Sequence, residues 1–127
     1  MDIVEKFNEG VLVLPHSTKN FLEVEWIKHP DFRGVELKHI VTSRETGGKF
    51  SYHLVRIAPG CSIESHIHKT QLETHEVIKG SGECINDGVT LSYQPGTISI
   101  MPAGVEHKVN AGNQGLFLFA KFIPPLC

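Results

Sequence analysis

Short runs rich in β-branched and aromatic residues alternate along the chain with Gly, Pro and Asn. The runs are Val11–Leu14, Phe21–Ile27, Val35–Thr42, Phe50–Ala58, Thr74–Lys79, Thr97–Met101 and Leu116–Ile123. Punctuation falls between them, for example at Pro30, Gly34, Gly47-Gly48, Gly80, Gly82 and Gly112. No stretch offers an apolar stripe at helical spacing with caps. Many short strands separated by turn residues predict an all-β sandwich or barrel. Asn86-Asp87-Gly88, between Glu83–Ile85 and Val89–Leu91, predicts a tight hairpin. Pro59-Gly60 and Pro95-Gly96 predict type II turns, with Gly at the position that needs positive φ. The prolines of Phe122-Ile123-Pro124-Pro125-Leu126 predict the end of the last strand, because Pro cannot donate to a ladder.

The 127 residues show no internal repeat, low-complexity tract or linker, so residues 1–127 are read as one domain. A chain of this size can bury roughly two-thirds of its unfolded surface, and needs no disulfide or metal to fold. Net charge is −2, with no Lys/Arg block. A phosphate backbone or an anionic membrane needs a basic face, so neither is the expected partner. Met1–Gly10 lacks the apolar core of a signal peptide, and no apolar run reaches membrane-spanning length. The three cysteines, Cys61, Cys84 and Cys127, are odd in number and have no C-x-x-C spacing. That predicts free thiols and a cytoplasmic location.

The candidate chemistry lies between Gly60 and Asn110. His66 and His68 are two apart, so on a strand both face the same side. On a strand from Glu73 to Lys79, Glu73, His75 and Val77 share a face. His107 follows Pro102 and Gly104. Three neutral imidazoles and one carboxylate make a borderline-hard donor set for a single divalent transition metal: Fe, Mn, Ni, Zn or Co. Such a set leaves one or two coordination positions for water or substrate.

Two ordered patterns carry a resemblance. Gly60-x5-His66-x-His68-x4-Glu73-x6-Gly80 resembles the first motif of the cupin superfamily, and Gly96-x5-Pro102-x-Gly104-x2-His107-x2-Asn110 resembles the second. Motif one spans about residues 60–82 and motif two about 96–110. The one departure is two residues, rather than the usual three, between His107 and Asn110, and the Asn is not a ligand in that family. The resemblance implies a small single-domain cupin: a double-stranded β-helix, or jelly-roll barrel, with His66, His68, Glu73 and His107 holding a metal inside it. It also implies a homodimer, with Val11–Leu14 or Phe21–Ile27 adding to the partner's sheet. A narrower similarity, to ectoine synthase, rests on His66-Ile67-His68, Leu72-Glu73 and Pro124-Pro125-Leu126. Met101-Pro102-Ala103-Gly104 and the three histidines depart from that group.

His75 is a candidate catalytic acid or base beside the ligands, or a replacement for Glu73 if the strand shifts locally. Gln71 reaches the metal only if the loop after His68 folds inward. His16, His29, His39 and His53 have no partner that spacing can name. Trp26, Tyr52 and Tyr93 read as core or dimer surface, and Glu64 and Glu76 as solvated. Gly60, Gly80, Gly82, Gly96 and Gly104 are explained by turns. Fold does not give reaction. The leading expectation is a metal-dependent dioxygenase, isomerase or lyase acting on a small organic molecule. The alternative is a binding or sensing module in which the metal anchors a ligand or stabilises the barrel.

Overall fold

A computed structural model describes residues 1–127. Ten strands form in chain order: β1 Val11–Val13, β2 Thr18–Asn20, β3 Ile27–Lys28, β4 Val35–Val41, β5 Ser51–Ile57, β6 Ser62–Ile67, β7 Leu72–Asn86, β8 Val89–Tyr93, β9 Ile98–Met101 and β10 Glu106–Ile123. All pairings are antiparallel. β1 and β2 form a separate hairpin, and the large sheet runs β3-β4-β5-β10-β7-β8, with β6 on β10 and β9 on β7. The architecture is a β-barrel of jelly-roll type.

β7 and β10 make the barrel because each serves two strand neighbourhoods. The early half of β10 pairs with β6 and with the end of β7. Its late half pairs with β5 and with the start of β7. The register shifts between Ala111 and Leu116, where both strands bend. Gly80 and Gly82 sit at that bend, inside β7 and not in a turn as the sequence suggested. A Cβ on Gly80 would lie 2.1 Å from the Gly115 carbonyl oxygen, and one on Gly82 2.1 Å from that of Asn110. Close backbone approach, more than turn chemistry, requires these glycines.

Alternation along the strands builds two cores. Val35, Val55, Ile57, Val77, Leu116, Leu118 and Phe122 pack inside the barrel. Leu54, Ile40 and Phe119 point outward, where Phe21 covers them. The predicted strand Phe21–Ile27 is therefore mostly something else: a 3-10 turn at Phe21–Glu23 that buries Phe21, with only Ile27–Lys28 in the sheet. Two short helices also form where none was expected, α1 at Ile3–Asn8 and α2 at Ser43–Thr46. Each starts with a capping box, Asp2 with Glu5 and Thr42 with Glu45. α1 lays Phe7 edge-on against Phe119, 4.6 Å between ring centroids, and extends the outer cover.

The turns follow the sequence closely. Asn86 pairs with Val89 around Asp87 and Gly88, both at positive φ (49° and 79°), a two-residue primed hairpin. Cys61 N donates to Ala58 O around Pro59-Gly60, and Thr97 N to Gln94 O around Pro95-Gly96. Gly60 and Gly96 take positive φ in these turns.

Candidate metal centre

Antiparallel pairing of β6 with β10 sets His66 directly opposite His107, with ring centroids 4.2 Å apart. His68 leaves the end of β6 on the same side, and its ring centroid is 4.9 Å from that of His66. The turn after Pro102 fixes this loop: Gly104, at φ 81°, donates its N–H to the His68 carbonyl at 2.9 Å. β7 then brings in Glu73. The ligand atoms of His66, His68, Glu73 and His107 all lie within 4.8 Å of one another. The four expected side chains thus form one group that could hold a metal ion.

The hydrogen bonds around the group aim it inward. His66 Nδ1 is 2.8 Å from the Glu64 carbonyl oxygen, and His107 Nδ1 is 3.4 Å from that of Val105. Donation to these carbonyls fixes the tautomer and leaves each Nε2 free to ligate. Glu73 Oε1 lies 3.3 Å from His68 Nε2 and 3.0 Å from His107 Nε2. These are ion-pair distances. Even so, Glu73 Oε1 and His107 Nε2 are buried with no oriented hydrogen-bond partner. Such orphaned atoms are costly in a protein interior, and a cation between them would satisfy both. The donor set, the free Nε2 atoms and the orphaned pair fit a divalent transition metal.

Burial would raise the Glu73 pKa, but the charge of His75 and the close approach of the His107, His68 and His75 imidazoles outweigh it and hold the carboxyl well below its ordinary value. Burial lowers His107, yet its contact with Glu73 wins and raises it. Burial dominates at His66 and lowers it.

His75 faces inward beside Glu73, and both of its ring nitrogens are engaged. Nε2 is 2.6 Å from Glu73 Oε2, and Nδ1 is 2.8 Å from the Tyr93 hydroxyl. Tyr93 OH in turn bonds Ser99 Oγ. This buried chain was not foreseen, because strand pairing and not spacing creates it: Ser99 on β9 sits opposite His75 on β7. The one available signal was chemical, since a buried Tyr hydroxyl needs a partner. Gln71 turns away from the site and donates to the carbonyls of Pro124 and Pro125. Glu64 is exposed and pairs with Lys108, while Glu76 is half-buried and accepts from Tyr52. His39 and His53, left without a partner in the sequence reading, are partners of each other: their Nδ1 atoms are 2.7 Å apart.

Three of the four, His66, His68 and Glu73, line a small cavity of about 90 Å3 that opens to solvent. The walls are largely apolar, with Leu37, Val55, Phe122 and Leu126 facing the histidines. An apolar chamber with one polar, ligating end suits a small organic molecule that carries a metal-binding group.

The family model for the cupin domain matches residues 53–120, and the chain belongs to that family. L-ectoine synthase of Bordetella parapertussis is 37% identical over 89 residues, which is 68% of this chain and 66% of that protein. The chain thus spans just under two thirds of that relative's length. Among solved structures, a predicted oxalate decarboxylase from Thermotoga maritima superposes with a TM-score of 0.74 at 23% identity, covering 81% of this chain and 95% of the other. Ectoine synthase from P. lautus gives 0.74 at 20% identity, covering 91% and 80%. At these identities the two structures establish the cupin fold.

Proposed function

We propose that the chain is a metal-dependent cupin enzyme acting on a small organic molecule, with His66, His68, Glu73 and His107 as the ligands of one divalent transition metal. One observation carries the reading. Four donors of the right chemistry converge, two of them with orphaned buried atoms, and three of them line a largely apolar cavity open to solvent. A bound metal would act as a Lewis acid on a carbonyl, carboxylate or enolate oxygen.

The chain's own residues do the rest. His66 and His68, the more open pair, leave the cavity side of the site accessible to substrate. Leu37, Val55 and Phe122 exclude water from the apolar part of a bound molecule. His75 orients Glu73 through Oε2 and is itself held by Tyr93. With both nitrogens occupied, His75 acts first on Glu73, while its ring also lines the cavity. An acid-base role for it would pass through Glu73 or Tyr93.

The similarity to proteins named L-ectoine synthase supports an enzyme over a binding module. Exposed Val11, Val13, Leu22 and Ile27 support a homodimer through the β1 hairpin region. The test is turnover. Metal-loaded protein is incubated with ectoine and a panel of small organic acids, and the mixtures are followed by NMR. Conversion of one compound over many cycles, lost in His66→Ala, is expected. Saturable binding of a compound to metal-loaded protein with no conversion would overturn the enzyme reading in favour of a sensing module.

A further inference from the structure

A second group of ligating side chains lies outside that centre. His39 on β4 and His53 on β5 are direct cross-strand partners. The segment after β10 folds back over them. Leu126 N donates to Ser51 Oγ at 2.8 Å, and Ser43 N donates to the Cys127 carbonyl at 2.7 Å. These two anchors bring the Cys127 thiol to the pair, so that the donor atoms of His39, His53 and Cys127 all lie within 4.8 Å of one another.

We infer that His39, His53 and Cys127 form a second metal site, selective for a thiophilic borderline ion such as Zn(II). Two imidazoles and one thiolate make a set of harder and softer donors quite unlike the all-nitrogen-and-oxygen group in the barrel. The phenyl ring of Phe122 stands between the two sites, 5.5 Å from His53 and 5.2 Å from His68 by ring centroids, so no ligand is shared. Glu45, the nearby carboxylate, is tied to Lys19 at 2.9 Å and to Thr42 N, and is not free to join.

The geometry needs only small adjustment. A tetrahedral site requires ligand separations of about 3.3–3.6 Å, given metal–N of about 2.0–2.1 Å and metal–S of about 2.3 Å. The imidazole nitrogens, 2.7 Å apart, open by about 0.6 Å, and the thiol closes in. Without metal, one Nδ1–H donates to the other Nδ1, so one ring carries its proton on Nδ1. On binding, that ring shifts its proton to Nε2 and both Nδ1 lone pairs bond the ion. The thiol proton leaves to solvent as the metal–sulfur bond forms, one proton per ion. His53 Nε2–H is then the donor to Ser51 Oγ, 2.7 Å away, which locks the ligating tautomer. Burial lowers the pKa of both imidazoles, which keeps them in the neutral, ligating form. Cys127 is exposed, so the ion has a route in.

Cobalt(II) distinguishes the sites, because only thiolate ligation produces a strong near-ultraviolet sulfur-to-cobalt charge-transfer band. Metal-stripped protein comprising residues 1–127 is titrated with Co(II). Two ions per chain and the band are expected. Cys127→Ser and His53→Gln should each keep one ion and lose the band, while the His66→Ala/His107→Ala variant should keep one ion and retain it. Far-ultraviolet circular dichroism checks that each variant is folded. A folded wild-type protein with no band, or a band that survives Cys127→Ser, overturns the second site. Uptake of one ion without the band would uphold the barrel site alone, so the two readings fail separately.

Discussion

Glu73 is almost completely buried, and three imidazoles approach it, from His68, His75 and His107. A buried carboxylate is tolerated only with such partners. His75 holds the oxygen that faces away from the other two. His75→Ala should therefore weaken metal affinity about 10- to 100-fold, the usual effect of losing a residue that orients a ligand. Competition with a chromophoric chelator measures this, and an unchanged affinity would reduce His75 to packing. The metal-free protein should also respond to acid in a defined direction. His53 is fully buried and its pKa is pushed down to about 3, first by burial and then by the nearby His39. The unfolded chain takes up a proton near pH 6.5, while folded His53 refuses it until about pH 3. Stability is thus lost as pH falls through this window, by something on the order of a few kcal/mol. His39 and His66 shift the same way. His107, whose pKa is raised, opposes them: its contribution is full at acid pH and fades as pH rises through its folded pKa. His53→Gln should flatten the acid limb of a urea-unfolding series across pH 6.5 to 4. The convergence of His66, His68, Glu73 and His107 was legible because the strand period and the two motifs place them together. The pairing of His39 with His53, and of His75 with Tyr93, depends on register between strands distant in sequence, which spacing does not encode.

At the scale of elements, the decisive feature is the shared bend of β7 and β10. In the sequence these two long strands break into shorter runs, because Gly80, Gly82 and Gly112 look like turn residues. In the structure both strands run on past them, with a shift of register between Ala111 and Leu116, and the glycines let two backbones touch at that bend. Gly82 does not need positive φ, so Gly82→Ala isolates the steric effect. It should cost about 1–3 kcal/mol, the usual range for overpacking, read as a lower urea midpoint at unchanged m-value. Gly88→Ala, which meets nothing within 4 Å, should cost only its backbone strain. The turns after Pro59 and Pro95 and at Asp87-Gly88 were readable because local chemistry alone decides them. α1 and α2 were missed because each is under two turns long, too short for helical periodicity. Their only sequence signature is the capping pair at Asp2 and Glu5, or at Thr42 and Glu45.

At the scale of the molecule, the barrel core contains none of the four candidate ligands. Its core of Val35, Val55, Ile57, Val77, Leu116 and Leu118 is apolar and independent of the ligands. Metal should then add stability by linkage and not create the fold. At 100 times the dissociation constant the gain is about 2.7 kcal/mol, a rise in Tm of roughly 5 °C or more for a domain of this size. Scanning calorimetry of stripped and reloaded protein should show that rise, and the stripped protein should still melt cooperatively. A chain that unfolds on chelation would instead make the metal structural. The fold class was legible because strand-length runs, turn residues and both motifs agree. The reaction was not, because the cavity wall is assembled from β4, β5 and β10 together with the segment around Leu126.

The proposed chemistry stands or falls with metal binding by His66, His68, Glu73 and His107. Its most direct test is metal content per chain, by elemental analysis, of untagged wild-type protein and of the His66→Ala/His107→Ala variant after equal exposure to Fe(II), Mn(II) or Zn(II). The wild type should hold one ion more per chain than the folded variant. A folded wild type that takes up no more metal than the variant would contradict it.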